Sequence, residues 1–256
     1  MHNFFFGIYP YIALTVMIVG SIARYERDPF TWKSSSSQLL RRKQLILGST
    51  LFHVGVLIIF FGHLFGLLTP IWFFDLVGIS HGAKQVLAVV VGGVAGLMAL
   101  VGGGMLFHRR WTDPRIRRTS SPADIGILAL LLAQLVLGIA TIFVSLQHLD
   151  GHEMTKFMAW AQMILTFRGV SAAQMIVDVS PIFKLHLFLG LTIFLLFPFT
   201  RLVHILSAPV RYLARPGYQV VRSRRRMPRP SQGDAASASS DAAQSPVTAT
   251  TAKPAE

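Results

Sequence analysis

Cysteine is absent from the 256 residues. That excludes disulfides, iron–sulfur ligation and thiolate-bound zinc within this chain. Charge is also scarce, at 14% Asp, Glu, Lys and Arg, where a soluble domain carries about a quarter. Acidic residues are the scarcer kind: 11, against 24 Lys and Arg, for a formal net charge of +13. No internal repeat is evident. What the sequence has in place of charge is apolar length, with 52% hydrophobic residues and a mean hydropathy of +0.54. A water-soluble single-core protein is set aside, and a polytopic membrane protein takes its place.

Five apolar stretches run long enough to span: Phe4–Ala23, Leu45–Leu68, Val86–Phe107, Ile125–Leu146 and Ile182–Leu206. Each reaches the ~20 residues a helix needs to cross a hydrocarbon core of ~30 Å. The first four contain no Asp, Glu, Lys or Arg, and the fifth carries Lys184 and Arg201 only near its ends. Strands would give segments near ten residues with alternating polarity, so the expectation is an all-α membrane protein with five transmembrane helices. Phe4–Ala23 lacks a basic leader and is too long an apolar run for a signal peptide, so it is read as a retained span.

The basic residues set the expected orientation. Segments 24–44 and 108–124 and the tail from Ser207 hold 19 of the 24 Lys and Arg. Basic residues stay on the cytoplasmic side. This predicts a periplasmic N-terminus, a cytoplasmic C-terminus and a multi-pass protein of the bacterial cytoplasmic (inner) membrane. It also accounts for the basic excess without nucleic acid, leaving membrane lipid as the solvent partner. Trp32 and Trp111 fall near the inside ends and Trp72 and Trp160 near the outside ends, as an aromatic belt requires. The outside segment 147–181 includes an apolar stretch, 154–167, read as an interfacial or re-entrant helix. Residues 1–226 form the expected membrane domain. The Pro-, Ser-, Ala- and Thr-rich stretch 227–256 is expected to be a disordered cytoplasmic tail.

Four of the nine histidines lie inside spans: His53 and His63 on the second, His186 and His204 on the fifth. An imidazole in lipid is costly unless partnered. One reading is four histidines that hydrogen-bond neighbouring helices. The other follows from direction. The second span runs inside to outside and the fifth runs back, so antiparallel packing matches His63 with His186 and His53 with His204. The 18-residue spacing of His186 and His204 is five whole helical turns, roughly 27 Å. The 10-residue spacing of His53 and His63 gives roughly 15 Å and about 80° of rotation. That mismatch requires helix tilt, or two cofactors at different angles. Two facing imidazoles suit bis-histidine ligation of an iron porphyrin, which leaves no open axial site and fits electron transfer. Zinc and copper fit less well, because no cysteine or intramembrane carboxylate completes a site.

Small and basic residues bear on the same reading. Gly62 and Gly66 flank His63, and the third span carries Gly92, Gly93, Gly96, Gly102, Gly103 and Gly104. Glycines admit either a porphyrin face or a neighbouring helix. Lys33, Arg109 and Arg110 lie on the expected inside, as candidate contacts for haem propionates or as topology and headgroup signals. Lys84, at the expected outer rim near His63, is a candidate to bind a quinol oxygen or a propionate, or else a snorkelling interfacial lysine. His81, His148 and His152 lie outside, where each is a candidate proton acceptor or simply a solvated loop residue.

With these residues in place, the chain resembles the gamma subunit (a di-haem cytochrome b) of membrane-bound respiratory nitrate reductase. The likeness rests on Phe-Phe-Phe-Gly-Ile-Tyr-Pro-Tyr (4–11), Gly-His-Leu-Phe-Gly-Leu-Leu-Thr-Pro (62–70), Gln-His-Leu-Asp-Gly (147–151), Lys-Leu-His-Leu-Phe-Leu-Gly (184–190) and Leu-Leu-Phe-Pro-Phe-Thr-Arg-Leu-Val-His-Ile (195–205). It runs from about residue 4 to 226 and leaves out the tail. The resemblance implies a four-helix haem-binding bundle plus one helix, and two b-type haems with His53, His63, His186 and His204 as axial ligands. It implies that quinol is oxidised near the periplasmic face, with Lys84 in the quinol site and protons released outside. Electrons would then pass by outer and inner haem to an iron–sulfur subunit on the cytoplasmic face and a molybdenum catalytic subunit. The loop 75–83 departs most in spacing from the family pattern.

Two other functions remain open on the residues. One is a cytochrome b anchor of another cytoplasmic reductase, such as those of sulfur metabolism. The other is a histidine-lined transporter, which is expected to show repeat symmetry or broken helices with midplane ionisable groups; the sequence shows neither.

Overall fold

The computed structural model describes residues 1–32, 40–147 and 149–207, and no strand occurs among them. Lys33, His148, the basic tail and the expected disordered stretch lie outside the described residues. A π-helical turn, Phe4–Ile8, runs into α1 (Tyr9–Arg27). There follow α2 (Arg42–Leu68), α3 (Ile71–Val77), α4 (His81–Thr112), α5 (Pro114–Arg118) and α6 (Pro122–Ser145). α7 (His152–Leu165), α8 (Gly169–Met175) and α9 (Pro181–Leu196) complete the set. Two 3-10 segments, Phe197–Phe199 and Arg201–Ser207, come after α9. Five helices are long and apolar enough to cross a membrane, so the all-α, five-span reading stands.

Local signals set the helix starts. Ser121 and Asp124 form a reciprocal capping box with Pro122 in the first turn of α6, which pairs two amides that the helix leaves orphaned. The Ser80 side chain accepts from the Ala83 amide at the start of α4. α4 therefore begins at His81, five residues before its apolar run, and carries Lys84 in its first turn.

The spans pack in the order α2, α4, α6, α9, α1, each against the next. α2 and α9 are the two walls that face each other across the interior, with α1 outside on α9. The tightest seam is α2 on α4. A Cβ at Gly55 would stand 2.6 Å from the Ala95 carbonyl oxygen, and one at Gly102 would stand 2.4 Å from the Phe52 amide nitrogen. In lipid there is no hydrophobic drive to bring helices together, so close backbone contact through small residues supplies it. Gly102 and Gly103 are thereby explained as helix packing. Among the described residues, a Cβ at Gly62, Gly66 or Gly92 would meet nothing within 4 Å outside its own turn of helix.

The fifth span departs from expectation. It is not one helix through Leu206: α9 ends at Leu196, and Thr200 is extended (φ −119°, ψ 179°). The cause is Pro198, which has no N–H for the i−4 carbonyl and whose ring crowds the preceding turn. Carbonyls freed in a membrane must find donors. Arg24 of α1 supplies them, donating through Nη1 to Pro198 O at 2.7 Å and Thr200 O at 2.8 Å. Its Nη2 donates to Thr31 O at 3.0 Å. The absence of a broken helix, held against transport in the sequence, is thus corrected, but here the broken backbone is closed by a cation of the same chain.

The long connection also differs in detail. It folds as α7 and α8, with Phe167 between them in the left-handed region (φ 59°). Trp160 is not a belt residue: it is 6% exposed, and its Nε1 donates to Phe6 O at 2.9 Å. Ring burial in a cluster with Phe6, Ile164 and Ile176 wins over the interfacial preference. Trp72 and Trp111 remain exposed.

Candidate functional site

The four intramembrane histidines fall into two pairs. His63 of α2 faces His186 of α9, with ring centroids 6.3 Å apart and planes at 42°. His53 of α2 faces His204 of the segment Arg201–Ser207, with centroids 6.4 Å apart and planes at 76°. The break at Pro198 removes the register conflict of the 10- and 18-residue spacings, because His204 does not share a helix with His186.

The ring separations admit a shared metal. A metal–imidazole bond of about 2 Å plus a ring radius of about 1.1 Å on each side puts coordinated rings roughly 6–6.5 Å apart. Bare aromatic contacts also span about 4.5–7 Å, so distance alone does not decide. The proton positions say more. His53 Nδ1 lies 2.7 Å from Ser49 O, His63 Nδ1 2.9 Å from Ile59 O, and His204 Nδ1 2.5 Å from Arg201 O. A carbonyl oxygen only accepts, so each Nδ1 must carry the proton, which leaves Nε2 with its lone pair. Fixing the tautomer through the other ring nitrogen is how metal-ligating imidazoles are held.

His186 is held differently. Among the described residues its ring has no carbonyl partner. Gln134 of α6 donates from Nε2 to the His186 backbone oxygen at 3.1 Å, and the same Nε2 lies 3.4 Å from His186 Nε2. Gly138, one turn further along α6, gives the ring its room, since a Cβ there would stand 3.0 Å from His186 Cε1.

The donor set fits a porphyrin better than a bare ion. Among the described residues no group of three or more His, Cys, Asp or Glu is placed to hold a metal. Each pair offers two nitrogens, where zinc needs about four ligands from its surroundings. A porphyrin brings its own four equatorial nitrogens and needs only two axial ones. The unobstructed faces of Gly62 and Gly66, beside His63, fit a flat guest on that side.

Lys84 is nearly buried, 8% exposed. Its ammonium donates to Gly66 O at 3.0 Å and Met158 Sδ at 2.9 Å, and sits 3.7 Å from the centre of the Phe74 ring. Gly66 lies just under one turn beyond His63, so the cation stands at the His63 end. There it also caps α2, whose last carbonyls attract positive charge. Gln162 of α7 shares the task, donating to Leu67 O at 3.3 Å and Thr69 O at 3.0 Å. Phe74, Met158 and Gln162 were not singled out from the sequence; their only signal is their place in the loops that flank Lys84.

The remaining candidates find partners within the chain. Arg109, 1% exposed, donates from Nη2 to Leu40 O at 2.5 Å. Arg110 Nη1 reaches Asp124 O at 3.3 Å. These contacts tie the end of α4 to the starts of α2 and α6. His81 Nε2 lies 3.6 Å from Asp75 Oδ1, and His152 opens α7 with its amide on Asp150 Oδ1. His2, which carried no signal in the sequence, fastens the N-terminus through Nε2 to Ala173 O at 2.8 Å.

A family model described as "Nitrate reductase gamma subunit" matches residues 2–224. The chain is 52% identical over 225 residues to the respiratory nitrate reductase 2 gamma chain of Escherichia coli K12, covering 88% of this chain and 98% of that one. It is 50% identical over 224 residues to the respiratory nitrate reductase 1 gamma chain of the same organism, with the same coverage. It is 42% identical over 218 residues to the nitrate reductase gamma chain of Bacillus subtilis, covering 85% of this chain and 96% of that one.

Proposed function

The chain belongs to the nitrate reductase gamma subunit family, and on that premise we propose that it is the quinol-oxidising, haem-carrying membrane anchor of a respiratory nitrate reductase. It is a multi-pass inner-membrane protein with five spanning helices. The observation that carries the finer reading is the pair of facing imidazole couples, one between α2 and α9 and the other between α2 and the segment Arg201–Ser207 beyond α9, three of their four rings with the proton fixed on Nδ1.

The roles follow from position. His63 with His186, and His53 with His204, would hold two b-type haems, which when bound would supply single-electron transfer from the Lys84 end toward the Arg24 end. Lys84 would hold quinol oxygen at the periplasmic rim. An ammonium has three donors; Gly66 O and Met158 Sδ engage two of them and the Phe74 ring lies against the cation, so quinol oxygen would take the third in place of the ring. The basic segments at the other end would face the cytoplasm and dock an iron–sulfur subunit, with a molybdenum subunit beyond it. This chain has no cysteine, so any cluster must come from such a partner.

A histidine-lined transporter is supported less well. The broken span points its freed carbonyls at Arg24, and no repeat supplies the symmetry such proteins use. The test is haem deletion in membranes holding the full chain. His63→Ala and His186→Ala are expected to remove the same haem, and His53→Ala and His204→Ala the other. Loss of one and the same haem in His63→Ala and His204→Ala would refute the pairing.

A further inference from the structure

Lys84 is closed in on three sides. Gly66 O and Met158 Sδ accept from its ammonium, and the Phe74 ring has its centre 3.7 Å from Nζ. The residue is buried, so a ligand oxygen reaches the ammonium only when one of the three neighbours gives way. Two of them are fixed in the fold: Gly66 O is a backbone carbonyl of α2, and Met158 is a fully buried side chain of α7. Phe74 is held less firmly. It is half-buried and belongs to α3, only seven residues long, well short of the ~12–15 an isolated helix needs to persist. Its neighbours Trp72, Phe73, Leu76 and Val77 are all exposed. α3 ends at Gly78 in the left-handed region (φ 76°), where glycine bends the chain without strain. Across that turn His81 Nε2 and Asp75 Oδ1 stand 3.6 Å apart on exposed side chains, and pairs of that kind contribute little.

We propose that Phe74 is the gate of the Lys84 site. Its ring covers the third ammonium donor in the free protein, and it swings off with α3 when a quinol oxygen takes that donor. The inference deepens the quinol reading of Lys84 and rests on it. An aromatic face suits the task. It attracts a desolvated ammonium through its negative quadrupole, but a hydrogen bond from a charged donor to oxygen is the stronger contact. Exchange of ring for quinol therefore replaces a weaker partner with a stronger one, and the cation is never left bare. Gly66 O and Met158 Sδ keep the ammonium aimed throughout. Phe74 acts through Lys84, so it sets how readily quinol binds and leaves the electron-transfer step to other groups.

The test is steady-state oxidation of duroquinol by the assembled nitrate reductase in membranes, wild type beside Phe74→Ala, Phe74→Leu, Lys84→Ala and the double variant Phe74→Ala/Lys84→Ala. Phe74→Ala is expected to lower the duroquinol KM about two- to thirtyfold, the span of a cation–π contact, with kcat within about twofold of wild type. Phe74→Leu keeps apolar bulk without the aromatic face, and is expected to lower KM by less. On the Lys84→Ala background the loss of the ring is expected to leave KM where it was, because the two side chains act as one unit. A second readout needs no quinol: acetic anhydride should acetylate Lys84 faster in Phe74→Ala than in wild type, read by peptide mass. An unchanged or raised KM in Phe74→Ala overturns the gate, as does an equal fall on the Lys84→Ala background or acetylation no faster than in wild type. If Phe74→Ala sheds haem, Phe74→Leu decides alone: a lowered KM supports the gate, and an unchanged or raised one overturns it. Wild-type quinol kinetics in Lys84→Ala would instead sink the quinol reading and the gate with it, even where Phe74→Ala speeds acetylation.

Discussion

The two histidine pairs reach nearly the same separation, 6.3 and 6.4 Å, by different means. At the Lys84 end both rings stand on regular helix, and α6 fits the α9 residue through the Gln134 bond to the His186 backbone oxygen and the room left by Gly138. At the Arg24 end the ring comes from a 3-10 segment beyond a proline break, and the backbone around it is held by a guanidinium from the first span and by Arg201 near Asp124 at 3.8 Å. One end depends on shape, the other on a polar brace. The brace meets the membrane's requirement that freed backbone groups be paired inside the protein, whereas at the other end His186 Nδ1 and Gln134 Oε1 have no hydrogen-bond partner among the described residues.

Shape should fail abruptly. Gly138→Leu puts side-chain atoms where His186 Cε1 stands, and overpacking of this kind shifts side chains or backbone. The expected result is loss of the His63/His186 haem with the other retained, counted spectroscopically per chain. Gly92→Leu, on a face with nothing within 4 Å, is the matched control and should keep both. Two retained haems in Gly138→Leu would show that the ring has more freedom than its packing suggests.

The brace should yield more gradually. Arg24→Met strands the carbonyls of Pro198, Thr200 and Thr31; hydrogen bonds with a charged partner contribute roughly 1.5–3 kcal/mol each. Heating should release the His53/His204 haem first, several degrees below wild type, while the other haem holds. Release of the opposite haem first would mean that Arg24 does not support His204.

Lys84→Ala removes one donor from the proposed quinol site. An interaction of roughly 1.5–3 kcal/mol corresponds to about a ten- to hundredfold rise in quinol KM, with both haems kept. Unaltered quinol kinetics would reduce Lys84 to a cap of α2. The smallest effect belongs to Gln162→Ala, which uncaps Leu67 and Thr69: about 1 kcal/mol of stability, read by thermal unfolding, with quinol KM within about twofold of wild type. A large kinetic effect there would extend the site to α7.

Much of this was legible in the sequence because lipid simplifies the rules. Five long apolar runs admit only helices, and antiparallel order alone pairs His63 with His186 and His53 with His204. The break in the fifth span was hidden by length: Leu-Leu-Phe-Pro-Phe-Thr is apolar enough to continue a helix, and hydropathy does not register the missing N–H of Pro198. Spacing along one continuous helix gives a mismatch that the broken helix does not have. Trp160 was misplaced because composition cannot tell an interfacial indole from one whose N–H finds Phe6 O inside the fold. Gln134 is the opposite case: an uncharged lone amide in an otherwise apolar run, marked only by its bond to the His186 backbone oxygen. The glycines of α4 carried two meanings, and only the α2 contacts separate helix packing from space for a guest.

The central claim is that each of the two imidazole couples holds one iron porphyrin. The most direct measurement is the dithionite-reduced minus oxidised spectrum of the purified full chain, with haem counted against protein. Two b-type haems per chain are expected, falling to one in His63→Ala. A colourless chain, or a haem count that His63→Ala leaves unchanged, would contradict the account.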